Sequence, residues 1–415
     1  MIINDATWRY VSEHDGEDVR QLALRGTKAD GVDLPMALQQ IAGRQTARRK
    51  LPSWARVEGV VYPPHLNLEQ CSSEQTARYK QQLVNSLVAN DDEQRGFVDL
   101  TGGFGVDFYW MSQAFRHRTY VEQNEALCTI AAHNFKLLGL ASEVCCCDTA
   151  TYMADMTERV AVAYLDPARR NEHGGRTYSI GDCTPNVVDL LPELRKKADF
   201  IVIKLSPMLD WRKAVSDVGG AREVHIVSVG NECKELLVVL SSEMTGGLRL
   251  VCVNDDDCFE TVIRHQTPSL WPSNSQLVAI KLPVSGHQSQ SPLYLYEPNA
   301  SIMKAGCFAE VATRYGVSPL SHDSHLFLSS DEIGHFPGRG FRVLSVSSLN
   351  KKALKTALLD GDLPLKSANI SVRHFPMTAE RLREKLRLRD GGPHYIFATT
   401  LADGSHKLFI CRKIS

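Results

Sequence analysis

Apolar positions recur along this chain with three different spacings. Up to about residue 95 the spacing is helical. Leu34-Pro35 opens a run carrying Leu38, Ile41 and Ala42, and Ser73-Glu74-Gln75 opens a second carrying Tyr79, Leu83 and Leu87. From about 96 to 285, short apolar runs alternate with helical patterns, predicting strands at 97–100, 118–122, 143–147, 160–165, 199–205, 223–229 and 248–253. Such alternation predicts a mainly parallel α/β sheet covered on both faces. Beyond 286, Asn299 or Ser301 caps a helix running through Met303, Phe308, Val311 and Tyr315. Strands predicted at 325–329, 341–347, 368–374, 394–400 and 406–411 then alternate with helices near 349–360 and 378–388, a small α+β pattern. The boundaries expected from these changes are 1–95, an N-terminal helical domain; 96–285, the α/β domain; and 286–415, the α+β domain.

A length of 415 residues suits two or three domains. With 43% hydrophobic and 23% charged residues and a formal net charge of −1, nothing draws the whole chain toward nucleic acid, so any basic surface is local. No apolar run approaches the length of a membrane span, and the N-terminus lacks a signal-peptide pattern. The 11 cysteines therefore read as reduced thiols of a cytoplasmic protein. Neighbouring residues of a strand face opposite ways, so Cys145-Cys146-Cys147 cannot converge on one metal; buried-strand packing is expected and no metal site is predicted.

The chemistry gathers at predicted strand ends. Val98-Asp99-Leu100-Thr101-Gly102-Gly103-Phe104-Gly105 reads as a strand, a glycine turn and a helix start, a turn in which backbone N–H groups can approach a ligand. Phe108 stands where a dinucleotide fingerprint wants its third glycine, which argues against a tightly packed pyrophosphate. The second strand ends in Glu122-Gln123-Asn124, with an acid placed to accept both hydroxyls of a ribose. The third ends in Cys147-Asp148-Thr149 and the fourth in Asp166-Pro167-Ala168-Arg169-Arg170. Singly, each acid reads as a helix N-cap; four carboxylates on one rim are harder to explain without a ligand.

The glycine turn resembles the cofactor loop of class I S-adenosylmethionine (AdoMet) methyltransferases. That resemblance implies that Asp99 lies near the methionine amino group, that Gly103 and Gly105 permit close approach, and that Asp148 stands beside the adenine amino group. The expected cofactor residues are Asp99, Thr101, Gly102, Gly103, Gly105, Glu122, Gln123 and Asp148. Asp166, Pro167 and Arg169 occupy the acceptor position. Base amino methyltransferases usually place a second proline and an aromatic ring there; Ala168 and Arg169 replace them, so stacking from that position is lost. The string also resembles the Asp-Pro-Pro-Arg of RNA uracil C5 methyltransferases, but Lys204-Leu205-Ser206-Pro207 carries no thiol where those enzymes keep their nucleophile. Direct transfer to a nucleophile held by Asp166 remains, with Arg169 or Arg170 steadying a phosphate or a charged substrate. Lys204 either assists or pairs with a rim acid, and Asn171 to Tyr178 is either a substrate loop or a surface insertion.

Two basic regions bear on the partner. Arg44, Arg48, Arg49 and Lys50, with Arg56 and Trp54 close behind, form either a phosphate-contacting face or a solvated helix end. Arg339 lies between Phe336 and Phe341, and Arg373, His374 and the arginines of 381–389 make the last domain locally basic. Gln39 to Gln45, the glycine turn, Asp166 to Arg170, Tyr296 to Asn299 and Asp390-Gly391-Gly392 together resemble bacterial class I AdoMet methyltransferases with a C-terminal THUMP-like domain. The resemblance implies a Rossmann-like sheet flanked by an N-terminal helical domain and a THUMP-like α+β domain, and methylation of structured RNA, tRNA or rRNA. The rival readings are a methyltransferase of protein or small molecules, and a non-catalytic AdoMet- or RNA-binding module.

Overall fold

The computed structural model describes residues 3–27, 29–88, 96–169, 180–241, 246–263, 292–350, 353–354 and 365–414. Arg170, the 171–178 segment and nearly all of the helix expected near 349–360 lie outside them. Two compact units divide the chain, Met1–Val224 with Glu235–Thr245, and His225–Lys234 with Gly246–Ser415. No helix among the described residues is long and apolar enough to cross a membrane.

The first unit opens with five helices: α1 (Asp5–His14), α2 (Val19–Arg25), α3 (Leu34–Lys50), α4 (His65–Gln70) and α5 (Glu74–Leu87). Asn4, Asp18, Asp33 and Ser73 each accept a backbone N–H of the following first turn, satisfying donors that the helix leaves unpaired. The Gln39–Gln45 run proves to be a backbone clamp. Gln40 is fully buried and holds Tyr62 from both sides, accepting its N–H at 2.8 Å and donating to its carbonyl at 3.0 Å. Gly43 leaves room for that tyrosine, since a Cβ there would stand 2.4 Å from Tyr62 Cβ.

The strands of this unit are β1 (Phe97–Asp99), β2 (Arg118–Glu122), β3 (Glu143–Cys146), β4 (Val160–Leu165), the short antiparallel pair β5 (Ala168–Arg169) and β6 (Cys183–Thr184), β7 (Ala198–Leu205), β8 (Glu223–Val229, entering the second unit) and β9 (Glu232–Ser241). The sheet order is β9-β7-β4-β1-β2-β3, parallel except for β9, which runs antiparallel to β7. Helices α6 (Val106–Met111), α7 (Glu125–Leu137), α8 (Thr149–Asp155), α9 (Val187–Lys197) and α10 (Trp211–Asp217) follow the strands. Phe108 packs between Tyr120 and Phe135, with ring centroids 5.6 and 4.9 Å away. The N-terminal helices share this core, because Trp54 meets Phe104 and Tyr109 edge-on at 5.3 and 5.4 Å.

Two expectations need correction. Leu236 to Leu240 form a fully buried strand that the periodicity did not announce, because a short unbroken apolar run fits helix and strand alike. Cys145 and Cys147 are half-buried and Cys146 is exposed, because β3 closes the sheet as its edge strand rather than lying within it.

In the second unit β8 neighbours β10 (Leu248–Asn254), which pairs antiparallel with β11 (Asp257–Ile263). A seven-stranded sheet follows, built from β12 (Tyr294–Pro298), β13 (Ser318–Pro319), β14 (Phe327–Ser329), β15 (Gly338–Ser347), β16 (Asn369–Arg373), β17 (His394–Thr400) and β18 (His406–Lys413). Its order is β13-β14-β12-β15-β18-β17-β16, with only β16 and β17 parallel. The single helix expected through Met303 and Tyr315 is two, α11 (Ala300–Ala305) and α12 (Phe308–Tyr315). Gly306 at φ 67° ends the first, a left-handed cap that glycine adopts without strain.

Candidate active site

Parallel order brings the ends of β4, β1, β2 and β3 side by side, and each ends in a carboxylate or within two residues of one: Asp166, Asp99, Glu122 and Asp148. Asp99, 1% exposed, closes β1 and accepts the Thr101 N–H at 3.0 Å, with the Thr101 hydroxyl at 3.5 Å. Among the described residues no cation pairs with it. Burial pushes its carboxyl well above the usual range, against the pull of the Thr101 N–H, and Asp107, Asp166 and Glu122 push the same way.

Glu122 accepts the Gly103 N–H at 2.9 Å with one oxygen and the Asn124 N–H at 2.8 Å with the other. Gln123 beside it is exposed. Asp148 caps α8, accepting from the Thr151 N–H and hydroxyl at 3.0 and 2.6 Å, bonds that lower its pKa. The glycines divide their work. A Cβ on Gly102 would stand 2.1 Å from the Tyr120 ring, and one on Gly105 would stand 2.6 Å from Phe135. The chain's own aromatic rings therefore use the room that those two glycines leave. Gly103 differs: at φ 56° a Cβ there would meet only the Thr101 carbonyl, at 3.8 Å, and otherwise point into open space. A buried carboxylate short of donors, beside bare backbone that a Cβ would fill, suits a cationic ligand such as the ammonium of AdoMet.

Asp166 is tied to the Asp99 end of the rim through Thr101, whose hydroxyl accepts the Asp166 N–H at 2.6 Å. Pro167 is buried behind Asp166, and the backbone of Arg169 pairs with Cys183. Lys204 forms an ion pair with Asp166. Behind them lies a network of charges separated widely in sequence. Lys80, with no exposed surface, donates to both oxygens of Glu235 at 2.6 and 2.7 Å, to Ser72 at 3.1 Å, and lies 3.2 Å from Asp107. Asp107 Oδ2 accepts from the Ser72 and Tyr164 hydroxyls at 2.8 Å each, and lies 3.5 Å from Lys204 Nζ. Burial alone would raise the Asp107 carboxyl, yet Lys80 and Lys204 hold it down at about 2. Burial acts against the charge of Lys204 too, but Asp166, Asp107 and Glu235 outweigh it and raise its pKa.

Sequence reasoning did not find Lys80, Asp107, Tyr164 or Glu235, since each sits in a helical or strand pattern where a lone polar residue signals only a solvent face.

The basic residues are less uniform than their clustering suggests. Arg48 pairs with Asp15, and Arg44 lies 3.9 Å from the same carboxylate and over the Trp8 ring. Lys50 donates to the Leu68 and Glu69 carbonyls at the end of α4, while Arg49 is exposed. In the second unit Arg339 donates to the buried Glu297, its Nε at 3.0 Å, and Arg373 donates to the other oxygen at 2.8 Å.

Residues 294–337 match the model of a ferredoxin-like domain, and residues 338–413 match that of a THUMP domain-like family. Uncharacterised S-adenosylmethionine-dependent methyltransferases of two Mycobacterium tuberculosis strains, CDC 1551 and H37Rv, are each 24% identical over 349 residues, spanning 83% of this chain and 87% of theirs. The crystal structure of a candidate methyltransferase from Porphyromonas gingivalis W83 superposes over the whole of both chains with a TM-score of 0.80 and 29% identity. Fold, rim chemistry and full-length similarity agree: the chain is a class I methyltransferase carrying a C-terminal THUMP-like domain.

Proposed function

We propose that this protein transfers a methyl group from AdoMet to structured RNA, tRNA or rRNA, with the acceptor held at Asp166. The cofactor is AdoMet, in line with the methyltransferase relatives. Asp99 carries the reading: it is a buried carboxylate on the sheet rim with two donors from one threonine and, among the described residues, no cation. Asp99 would hold the methionine ammonium, and Glu122 with Gln123 would hold the ribose hydroxyls. Thr101 and the Gly102-Gly103-x-Gly105 turn shape the floor, and Asp148 faces the adenine side.

When bound, AdoMet supplies an electrophilic methyl group on its sulfonium. Asp166 accepts a hydrogen bond from the nucleophile and keeps it in line, while Pro167 and Arg169 complete the acceptor side. Positive charge that develops on an attacking nitrogen is met by the Asp166 carboxylate.

RNA as the acceptor rests on the THUMP-like domain and on local basic groups. Of the N-terminal arginines, Arg48 and Arg49 are exposed and serve as phosphate contacts. Arg44, over the Trp8 ring, Lys50, on the carbonyls of α4, and Arg339, on Glu297, are partly engaged within the protein and flank these contacts.

The test is transfer from methyl-labelled AdoMet to total RNA, DNA and protein from cells lacking this protein, followed by nucleoside analysis. Label in tRNA or rRNA is expected. Label confined to protein or small molecules overturns the RNA reading, and AdoMet binding without transfer to any pool overturns the enzyme reading.

A further inference from the structure

Resting on the reading of Asp166 as the acceptor-orienting group, we propose that Lys204 is a positioning residue that fixes the Asp166 carboxylate through a buried charge relay, and that the methyl acceptor is a nitrogen carrying an N–H.

Asp166 stands at the open end of β4 with its side chain 37% exposed, where an unrestrained carboxylate samples several rotamers. Its backbone N–H is fixed by Thr101, and its Oδ2 by Lys204. Lys204 can do this because it is itself held. Its side chain is 11% exposed, and its ammonium lies 3.5 Å from Asp107 Oδ2 and 3.4 Å from Ser72 Oγ. Asp107 in turn is fixed by Tyr164, Ser72 and Lys80, and Lys80 by Glu235. Five structural elements thus meet along one connected path: α5 gives Lys80, α6 Asp107, β4 Tyr164 and, at its end, Asp166, β7 Lys204 and β9 Glu235. The relay holds three carboxylates and two ammonium groups, so the excess charge is negative, and Asp166 is its exposed end.

This arrangement selects among acceptors. Lys204 is kept ionised by its neighbours, so it has no lone pair with which to take a proton. A carboxylate is too weak a base to ionise a hydroxyl before it attacks, whereas a neutral nitrogen attacks first and sheds its now acidic proton to a carboxylate afterwards. The Asp166 oxygen that Lys204 does not hold accepts the N–H and aims the nitrogen lone pair at the methyl carbon. The C–N bond forms as the S–C bond breaks, sulfur leaves with that electron pair as a neutral thioether, and the nitrogen proton passes to Asp166 and on to solvent.

The test compares Lys204→Met, Lys204→Arg, Asp166→Asn and the Asp166→Asn/Lys204→Met double variant with wild type. Folding is checked by AdoMet calorimetry, and rates are taken on the RNA pool that accepts label. Lys204→Met is expected to lose about 100-fold in kcat, the scale of a misplaced reacting group, with AdoMet affinity within about threefold of wild type. Lys204→Arg should recover most of the loss, and the double variant should match Asp166→Asn within about threefold, because Lys204 acts through Asp166 alone. A Lys204→Met enzyme within about threefold of wild type, or a double variant about tenfold worse than Asp166→Asn, overturns the positioning role. A methylated oxygen or carbon in the product overturns the nitrogen assignment. If wild type labels no RNA, the RNA reading fails separately, and the relay is read instead from crystals of wild type and Lys204→Met with sinefungin. Asp166 should leave its rotamer in the variant; an unmoved Asp166 overturns the proposal.

Discussion

Two carboxylates of this molecule are buried to nearly the same degree and live in opposite surroundings. Glu297 in the second unit is 4% exposed, and both its oxygens are met by guanidinium groups, Arg339 on one and Arg373 on the other. Asp99 in the first unit is 1% exposed and, among the described residues, has only one threonine to meet it. A folded protein seldom leaves a buried charge unpaired, so a saturated carboxylate marks architecture and an unsaturated one marks a place kept for something else. The relay behind Asp166 lies between these cases, because it is saturated at Lys80 and open at the rim.

The sharpest way to break the comparison lies in that relay. Lys80→Met strands Glu235 and Asp107 without their shared cation, and a loss of about 3–5 kcal/mol is expected in urea unfolding. A loss below about 1 kcal/mol would mean that the charges are not truly desolvated. At the rim, Asp99→Ala should weaken AdoMet by about 1.5–3 kcal/mol in calorimetry, the scale of a hydrogen bond to a charged group. Glu297→Gln should leave AdoMet affinity at its wild-type value and lower stability by about 1–2 kcal/mol, since both arginines are partly exposed and can be rehydrated.

The pH dependence of Asp99 separates the two carboxylates further. Its carboxyl titrates higher in the folded than in the unfolded protein, so the folded state binds the extra proton and this group's contribution falls as pH rises through the folded pKa. Asp99→Asn, which carries no such charge, is therefore expected to melt above wild type at pH 7.5. The gap should close as pH falls toward the unfolded carboxyl value of about 3.9. A melting temperature below wild type at pH 7.5 would show that Asp99 is already compensated. The smallest effect is on the surface: reversing Arg48 and Arg49 to glutamate should flatten the salt dependence of RNA binding by about one unit of slope for each phosphate no longer neutralised. An unchanged slope assigns both arginines to the helix end alone.

Strand positions in the first unit were legible to within a residue or two wherever an apolar run was bounded by glycine or a charged residue, as at β2, β4 and β8. The rim acids were legible for the same reason, since they stand where the apolar runs stop. The relay was not, because Lys80 and Glu235 are 155 residues apart and only the antiparallel return of β9 beside β7 brings Glu235 into the first unit. The Gln39–Gln45 run was visible as a motif but not as a clamp, since its partner Tyr62 lies across a turn that no periodicity predicts. Arg339 and Lys50 looked available for phosphate because their acceptors, a distant glutamate and two carbonyls, leave no local trace.

One residue ties together positions that would otherwise vary separately. Thr101 hands its backbone N–H to Asp99, and its hydroxyl takes the N–H of Asp166, so the proposed sockets for donor and acceptor of the methyl group hang from a single residue. Anyone grafting a foreign acceptor loop onto this scaffold inherits that constraint. A valine at position 101 would keep the volume and cut the tether, leaving two intact half-sites that no longer share a common alignment.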